Sequence, residues 1–377
     1  MGKPFQNKWV KTGISVIYIF LAASMIIAFF MPAGQSRRIM KLISNYWLGI
    51  LLYMVLIILP VTFIRVVVRM VQKHRNKKKN LPVKLYSRRN MALGGAICAV
   101  IIGTVSIGGM INARIIHVTP YDISIDKSGG KLDSLKVVLV ADLHLGYNIG
   151  IQHMTKMVEK INDQDPDLVV IAGDIFDNEY EAVEKPEKME EIFQGIKSKY
   201  GVYACYGNHD IEEPILAGFT FSSDEKKESS EKMDEFLEKS NIRLLKDEKI
   251  LIDDSVWLYG RPDMERPNRG IDVRKTPEEI TEGLDTRKPV IVIDHEPAEL
   301  QQLSDAGVDV DLCGHTHDGQ LFPGNLTIKL MWENAYGYLK KGKMHNIVTS
   351  GTGLFGPYMR IGTRAEICPV TIRFRNS

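Results

Sequence analysis

Three stretches without a charged residue, Thr12 to Met31, Leu42 to Ile64 and Asn90 to Ala113, limit what this 377-residue chain can fold into. Each reaches the about 20 residues that an α-helix needs to cross the hydrocarbon core of a bilayer. They are read as three membrane spans within a region 12–113. A cleaved leader is the alternative for the first, since Lys3, Lys8 and Lys11 precede it. Its apolar core is too long for a leader, no small-x-small cleavage site follows, and further spans come after it. In the third stretch Gly95, Ala99 and Gly103 form a ladder of small residues suited to close helix packing.

Basic residues set the expected orientation, because Lys and Arg beside a span are retained on the cytoplasmic side. The segment 72–89 carries Lys73, Arg75, Lys77, Lys78, Lys79, Lys84, Arg88 and Arg89, against Arg37, Arg38 and Lys41 in the preceding loop. A solvated linker is the alternative for this run. The expected arrangement is a multi-pass protein of the cell membrane with residues 1–11 cytoplasmic, a basic cytoplasmic loop near 72–89, and residues 114–377 extracytoplasmic. The basic run also suits anionic headgroups. A net charge of +2 gives no excess for nucleic acid. Cys98, Cys205, Cys313 and Cys368 lie in or beside apolar runs, which suits buried thiols better than a disulfide framework, although Cys205 and Cys313 each precede a histidine motif.

After the third stretch, Arg114 to Asp126 is expected to form a leading strand. From Leu135 onward short apolar runs end abruptly in polar clusters: Leu135–Val140 in ADLHLG, Leu168–Ala172 in GDIFD, Val202–Tyr206 in GNHD, Val290–Ile293 in DHEP and Val308–Leu312 in CGHTHDGQ. Such runs predict strands buried on both faces, with chemistry on the loops that follow them. Helical spacing over Ile151–Asn162, Lys185–Lys197, Glu231–Ser240 and Pro277–Leu284 makes the class α/β, and Thr276-Pro277-Glu278-Glu279 has the form of a capping box. A hairpin around Asp253-Asp254-Ser255 and strands at Asn346–Ser350 and Ile367–Phe374 make the second half richer in antiparallel elements. The polar segment 222–231 is expected to be a mobile loop. Gly337 to Met344 nearly spells a phosphate-binding loop, but Met344 stands where Ser or Thr is needed.

The strand ends collect Asp142, His144, Asp174, Asn208, His209, His295, His315 and His317, including five of the nine histidines in the chain. Singly each has an ordinary role as a turn, cap or core residue. Together they offer the mixed oxygen and imidazole donors that suit Mn, Fe or Zn better than Ca or Mg.

ADLHLG, GDIFD, GNHD, DHEP and GHTHDGQ, in this order over Leu135 to Gln320, resemble the motifs of the calcineurin-like metallophosphoesterase superfamily, and the leading spans make the chain similar to its membrane-associated bacterial members. The resemblance implies two β-sheets sandwiched by helices, a four-layer metallophosphoesterase-like domain over 114–377 behind the α-helical membrane region. It implies two divalent ions, manganese favoured over Fe or Zn. Asp142, His144 and His317 hold one, Asn208, His295 and His315 the other, and Asp174 bridges them. His209 lies outside the ligand shell as the catalytic acid. Asp177 and Asp210 are candidates to orient the ligands, with turn capping as the alternative.

The implied activity is a membrane-anchored metal-dependent hydrolase of phosphodiesters or phosphomonoesters acting by attack of a metal-bound hydroxide, with two cations about 4 Å apart neutralising the phosphate oxygens. Its substrate would be a phosphorylated small molecule, a lipid headgroup or an envelope polymer. A metallated domain that binds or senses a phosphorylated ligand without turnover is the alternative. Asp318 departs from the glycine of many relatives and places an extra carboxylate beside the site, which is expected to disfavour highly anionic esters. An unchanged monoester-to-diester preference in Asp318→Gly would overturn that expectation. Arg360 is read as a surface arginine, with a phosphate contact as the alternative.

Overall fold

A computed structural model describes residues 7–76, 88–213, 215–216, 219–220, 228–266 and 271–375. The chain divides into two units, residues 1–111 with 356–359 and residues 112–355 with 360–377. The three apolar stretches form α1 (Lys8–Phe30), α2 (Gln35–Asn76) and α3 (Arg88–Asn112). All three are long and apolar enough to cross a membrane. At 42 residues α2 is far longer than its charge-free core. At about 1.5 Å per residue it is about 63 Å long, roughly twice the hydrocarbon thickness of a bilayer. It runs on through Arg65, Arg69 and Lys73, whose long side chains are good helix formers. A Cβ placed on Gly95 or Gly103 would meet nothing, so the small-residue ladder is not used for packing against the described residues. Of the basic segment, Lys73 lies on α2 and Arg89 on α3, and residues 77–87 lie outside the described residues.

The second unit is a sandwich of two mixed sheets flanked by helices. One sheet runs β1 (Ile116–Val118), β15 (Ala365–Phe374), β3 (Ser134–Val140), β4 (Leu168–Ala172), β5 (Val202–Cys205), β8 (Ile242–Leu244), with β2 (Tyr121–Ile125) also on β15. The single leading strand expected over 114–126 is two strands. Thr119-Pro120 separates them, and the ten residues of β15 offer a parallel edge to both in succession, Ile116–Val118 beside Ala365–Ile367 and Tyr121–Ile125 beside Val370–Phe374. Proline supplies no N–H for a ladder, so the break falls there.

The other sheet runs β13 (Gly337–Lys341), β14 (Met344–Val348), β12 (Val310–Cys313), β11 (Val290–Ile293), β10 (Val256–Gly260), β9 (Glu248–Ile252). Its inner strands are parallel and both edge pairs antiparallel, as expected for the second half. The β9–β10 hairpin turns at Asp253 and Asp254, both with positive φ. A short ribbon, β6 (Ile215–Leu216) with β7 (Phe219–Thr220), stands apart. The expected mobile segment falls largely on residues 221–227, outside the described residues.

Period-two alternation assigns the core. Leu135, Val137 and Leu139 of β3 meet Ile291, Ile293, Val310 and Leu312 between the sheets. The opposite faces, Val290 and Val292, pack under Ile280 of α7 (Pro277–Thr281) and Leu300 and Leu303 of α8 (Leu300–Asp305). Burial on both faces is why these strands read as unbroken apolar runs. The helices α4 (Ile151–Asn162), α5 (Pro186–Gln194) and α6 (Glu231–Lys239) bury one stripe each, Met154, Met157, Val158 and Ile161 on α4. Thr276 closes the expected capping box with Glu279. All four cysteines are free. The donors come from the C-terminal ends of parallel strands in both sheets, where backbone N–H and C=O groups leave the ladder and side chains converge.

Candidate metal centre

The loops bend sharply to aim their side chains. Asp142 (φ 52°), His144 (φ 47°), Asp174 (φ 52°), His315 (φ 71°) and His317 (φ 51°) all have left-handed backbones. A non-glycine residue there costs about 1 kcal/mol or more, so such residues persist where the surroundings demand them, and they cluster at functional sites. In Asp142/His144 and His315/His317 the alternation lets two side chains of one short loop reach the same space. Gly207 cannot be replaced for a related reason: a Cβ there would collide with Asp174 Oδ1 and the His295 ring.

The donor atoms of these loops lie at the spacing that ligands of one shared cation would have. His295 Nε2 lies 3.0 Å from Asn208 Oδ1 and 3.2 Å from His315 Nδ1, which is 3.1 Å from the same Asn208 oxygen. The other His295 nitrogen, Nδ1, donates to the Ala172 carbonyl at 2.9 Å, which leaves Nε2 as a lone pair in the neutral ring. Donors about 2.0–2.1 Å from one tetrahedral ion lie roughly 3.3 Å apart, so this spacing fits a shared cation. Asp174 Oδ2 is 3.2 Å from His295 Nε2 and 3.7 Å from His144 Nε2, between the two groups of donors.

On the far side His144 Nε2 and His317 Nε2 are 3.0 Å apart, and Asp142 Oδ1 is 3.9 Å from His317 Nε2. Asp142 is fully buried, and its Oδ2 has no hydrogen-bond partner among the described residues. A buried carboxylate oxygen of this kind is costly unless something positive meets it. Asp142, His144 and His317, and likewise Asp142, Asp174 and His295, each bring one donor atom within 4.8 Å of the others. His144, Asp177 and His209 do so as well, a third trio not foreseen from the motifs.

Burial and the neighbouring charges divide the titrating groups. Burial raises the Asp142 carboxyl to about 6, whereas for Asp174 it is outweighed by the His295 and His209 imidazoles, which hold that carboxyl well below its usual range. Burial pushes His315 down to about 3, His295 adding to the effect, and lowers His317 and His209 too. Burial also opposes charge on His295 and His144, but Asp174 beside His295 and Asp177 beside His144 reverse the balance, and both rise. Asp174 on His295 and Asp177 on His144 thus favour positive charge at these two rings, the same electrostatic demand that a metal would meet.

Asp210 makes the contacts of a turn cap. Its carboxylate accepts from Phe176 N at 2.8 Å and Gly207 N at 2.7 Å, joining the GDIFD loop to the GNHD loop. Asp177 Oδ1 lies 3.5 Å from His144 Nδ1, placed to orient that ring. His209 N donates to Asp174 Oδ1 at 2.8 Å, and its Nδ1 hydrogen-bonds Asn178 Oδ1. Asp318 is buried, has a left-handed backbone, and is raised by burial to about 6.

Arg360 is a correction: it is neither a surface arginine nor exposed to a ligand, being fully buried. Its Nη2 donates to Ser350 O at 2.7 Å and Gly353 O at 2.9 Å, and its Nη1 to Arg364 O at 2.9 Å. The two Nη2 hydrogens are thereby taken, so the 3.3 Å contact with His317 Nδ1 acts through charge, which helps keep that imidazole neutral.

Several residues around the site were not read from the motifs. Asn178 follows GDIFD directly and fixes His209. Phe355 lies 4.8 Å from the His209 ring and 5.8 Å from that of His144, and Trp332 lies edge-on 5.2 Å from the His315 ring. Arg266 donates to the Asn208 carbonyl at 3.0 Å and pairs with Glu213 at 3.1 Å. Behind His295, Asp294 pairs with Arg261 at 2.7 Å and with Arg274 at 3.1 Å. Asp294 opens the DHEP motif, Asn178 follows GDIFD and Glu213 lies three residues beyond GNHD, whereas Arg261, Arg266, Arg274 and Trp332 lie outside the quoted motifs.

The sandwich and its rim of carboxylate, amide and imidazole donors define a metallophosphoesterase type of fold. Residues 135–319 match the calcineurin-like phosphoesterase family. The chain is 30% identical over 287 residues to a transmembrane protein with metallophosphoesterase domain of Danio rerio, covering 74% of this chain and 62% of that one. It is 30% identical over 255 residues to an uncharacterized metallophosphoesterase of Helicobacter pylori, covering 65% and 62%. It thus spans less than two thirds of the length of these relatives. Among solved structures, the 5'-nucleotidase precursor of Thermus thermophilus aligns at a TM-score of 0.37 and 13% identity, over 63% of this chain and 55% of that one. The chain belongs to the calcineurin-like metallophosphoesterase superfamily.

Proposed function

We propose that this chain is a membrane-anchored phosphoesterase whose domain over residues 114–377 holds two divalent cations, manganese favoured, and hydrolyses phosphate esters. The observation that carries this is the meeting of His295 Nε2, His315 Nδ1 and Asn208 Oδ1 at 3.0–3.2 Å beside the Asp174 carboxylate. Asp142, His144 and His317 would hold one cation, Asn208, His295 and His315 the other, and Asp174 would serve both. When bound, the pair supplies Lewis acidity to the phosphate oxygens and lowers the pKa of water.

The chain's own groups do the rest. Asp142 and Asp174 offset the cationic charge, the Ala172 carbonyl sets the tautomer of His295, and Arg266 steadies the Asn208 loop. Asn178 accepts from His209 Nδ1, so in the protonated ring Nε2 is the nitrogen left to hand a proton to the leaving oxygen; burial lowers the pKa of the ring, which makes the protonated form a stronger acid and a less populated one. Anchoring rests on the three apolar helices, in keeping with the description of the Danio rerio relative as a transmembrane protein. The basic residues of segment 72–89 favour an extracytoplasmic active site, which a topology reporter fused after Ser377 tests; a cytoplasmic signal overturns that orientation.

The test of the activity strips the chain of metal, reloads it with manganese and follows bis-nitrophenyl and mono-nitrophenyl phosphate. Metal-dependent turnover is expected, abolished in an Asn208→Ala, His315→Ala double variant. His209→Ala is expected to lower kcat by about 10²-fold to 10⁴-fold with metal content unchanged. No turnover with metal demonstrably bound would instead support binding of a phosphorylated ligand without hydrolysis.

A further inference from the structure

Between Asp318 and Glu333 the sequence holds no acidic residue and one lysine, Lys329. The segment folds as two short turns of helix, α9 (Gly324–Thr327) followed by a 3-10 turn at Ile328–Leu330. It leaves Phe322 48%, Leu326 56%, Leu330 88% and Met331 76% exposed. Single exposed apolar side chains are ordinary, but four within ten residues of one projecting segment form a patch of the kind that marks an interaction surface.

Two sets of contacts locate this lip. At its C-terminal end Trp332 lies edge-on to the ring of His315, 5.2 Å between centroids, so the lip borders the candidate metal centre. At its N-terminal end it is fastened to the residue where α3 stops. Asn112 Nδ2 donates to the carbonyls of Arg360 at 3.0 Å and Thr363 at 2.8 Å. Ile361 N donates to Gln320 O at 3.1 Å, Phe322 N to Ile361 O at 2.7 Å, and Thr363 Oγ1 to Gln320 O at 2.7 Å. A span that ends at Asn112 delivers that residue to the bilayer surface, and these hydrogen bonds carry the base of the lip with it. Apolar side chains at the tip with one lysine beside them match an interface in which the chains enter the hydrocarbon and the ammonium stays among anionic headgroups.

We propose that Phe322, Leu326, Leu330 and Met331 dip into the acyl-chain region of the leaflet, and that the ester cleaved at the neighbouring site is that of a membrane lipid. The chain of the lipid passes over the lip while its phosphate reaches the cluster. In the reaction a water oxygen bonds to phosphorus, the bond from phosphorus to the leaving oxygen breaks, and the leaving oxygen takes a proton. The lipid substrate rests on the phosphoesterase reading above, whereas the insertion of the lip does not.

The two parts are read separately in full-length protein reconstituted with manganese in phosphatidylcholine vesicles containing a minority of phosphatidylglycerol. For insertion, Leu330→Cys in a Cys98→Ser background carries an environment-sensitive fluorophore. Quenching by lipid spin-labelled on the acyl chain is expected, and quenching only by an aqueous quencher overturns insertion. For the substrate, hexadecyl and methyl nitrophenyl phosphodiesters are compared, since they differ only in the chain. Wild type is expected to favour the hexadecyl ester by about tenfold or more in kcat/KM, each buried methylene adding to the preference. Leu330→Glu with Met331→Glu is expected to abolish that preference and leave methyl ester turnover unchanged. A preference that survives in the double variant, or none in wild type, overturns the lipid assignment. Failure to cleave either ester with metal bound overturns the phosphoesterase reading and the lipid substrate with it, and leaves the quenching result standing on its own.

Discussion

Asp174→Asn is expected to lower turnover of bis-nitrophenyl phosphate by about 10³-fold or more and to drop bound manganese from two ions per chain to one or none. The substitution preserves shape, and the amide oxygen can still accept the bond that His209 N makes to Oδ1 at 2.8 Å. What it removes is the charge at Oδ2, which sits 3.2 Å from His295 Nε2 and 3.7 Å from His144 Nε2. That oxygen stands between the two rings, and Asp174 is held ionised against its own burial by the imidazoles around it. The cost should therefore fall on the metals rather than on the fold. Elemental analysis beside the rate separates the two: full metal content with wild-type turnover would remove Asp174 from the centre, and a misfolded variant would betray itself in protease sensitivity.

Asp174 also shows what the sequence made legible and why. Each donor follows a run of apolar residues that ends at once in a short polar motif. A strand buried on both faces has no freedom to end elsewhere, so the motifs had to lie at the sheet edge. The strands Leu168–Ala172 and Val290–Ile293 and the helix Ile151–Asn162 fall where periodicity placed them. The edge elements were harder to see. β8 and β13 are short, half-exposed and mixed in composition, and the break at Thr119-Pro120 matters only because β15 is long enough to pair on both sides of it. Residues that act through tertiary contacts left no mark. Arg266 and Trp332 touch Asn208 and His315 across long stretches of chain, and spacing carries no information about such pairs. The small-residue ladder in α3 shows the opposite failure, a local pattern with nothing packed on it among the described residues.

Arg360 is the most instructive of these, because an arginine in a loop of glycines and polar residues has every surface attribute and is nevertheless fully buried. Its guanidinium gathers the carbonyls of Ser350, Gly353 and Arg364, loop oxygens that no strand or helix would otherwise satisfy. Burial lowers its pKa only to about 10, so it remains charged at neutral pH. Arg360→Leu fills the volume but strands the Ser350 and Gly353 oxygens, each buried orphan costing about 1–3 kcal/mol, while the Arg364 oxygen keeps the bond it accepts from Ser350 Oγ at 2.7 Å. A loss of about 3 kcal/mol or more is expected, read as a fall of about 10 °C in the unfolding midpoint of the second unit. The loop it clamps approaches the centre: Gly351 lies against Asp142, and Gly353 N donates to the Asp142 carbonyl at 2.8 Å. Manganese affinity should therefore fall along with stability. Arg360→Lys retains the charge and three donors but lacks the planar fork, so it should restore part of the stability and less of the affinity. A leucine variant that unfolds at the wild-type temperature would show that the loop holds itself without the arginine. A leucine variant that is destabilised yet binds manganese as tightly as wild type would confine Arg360 to the fold and sever it from the metal centre.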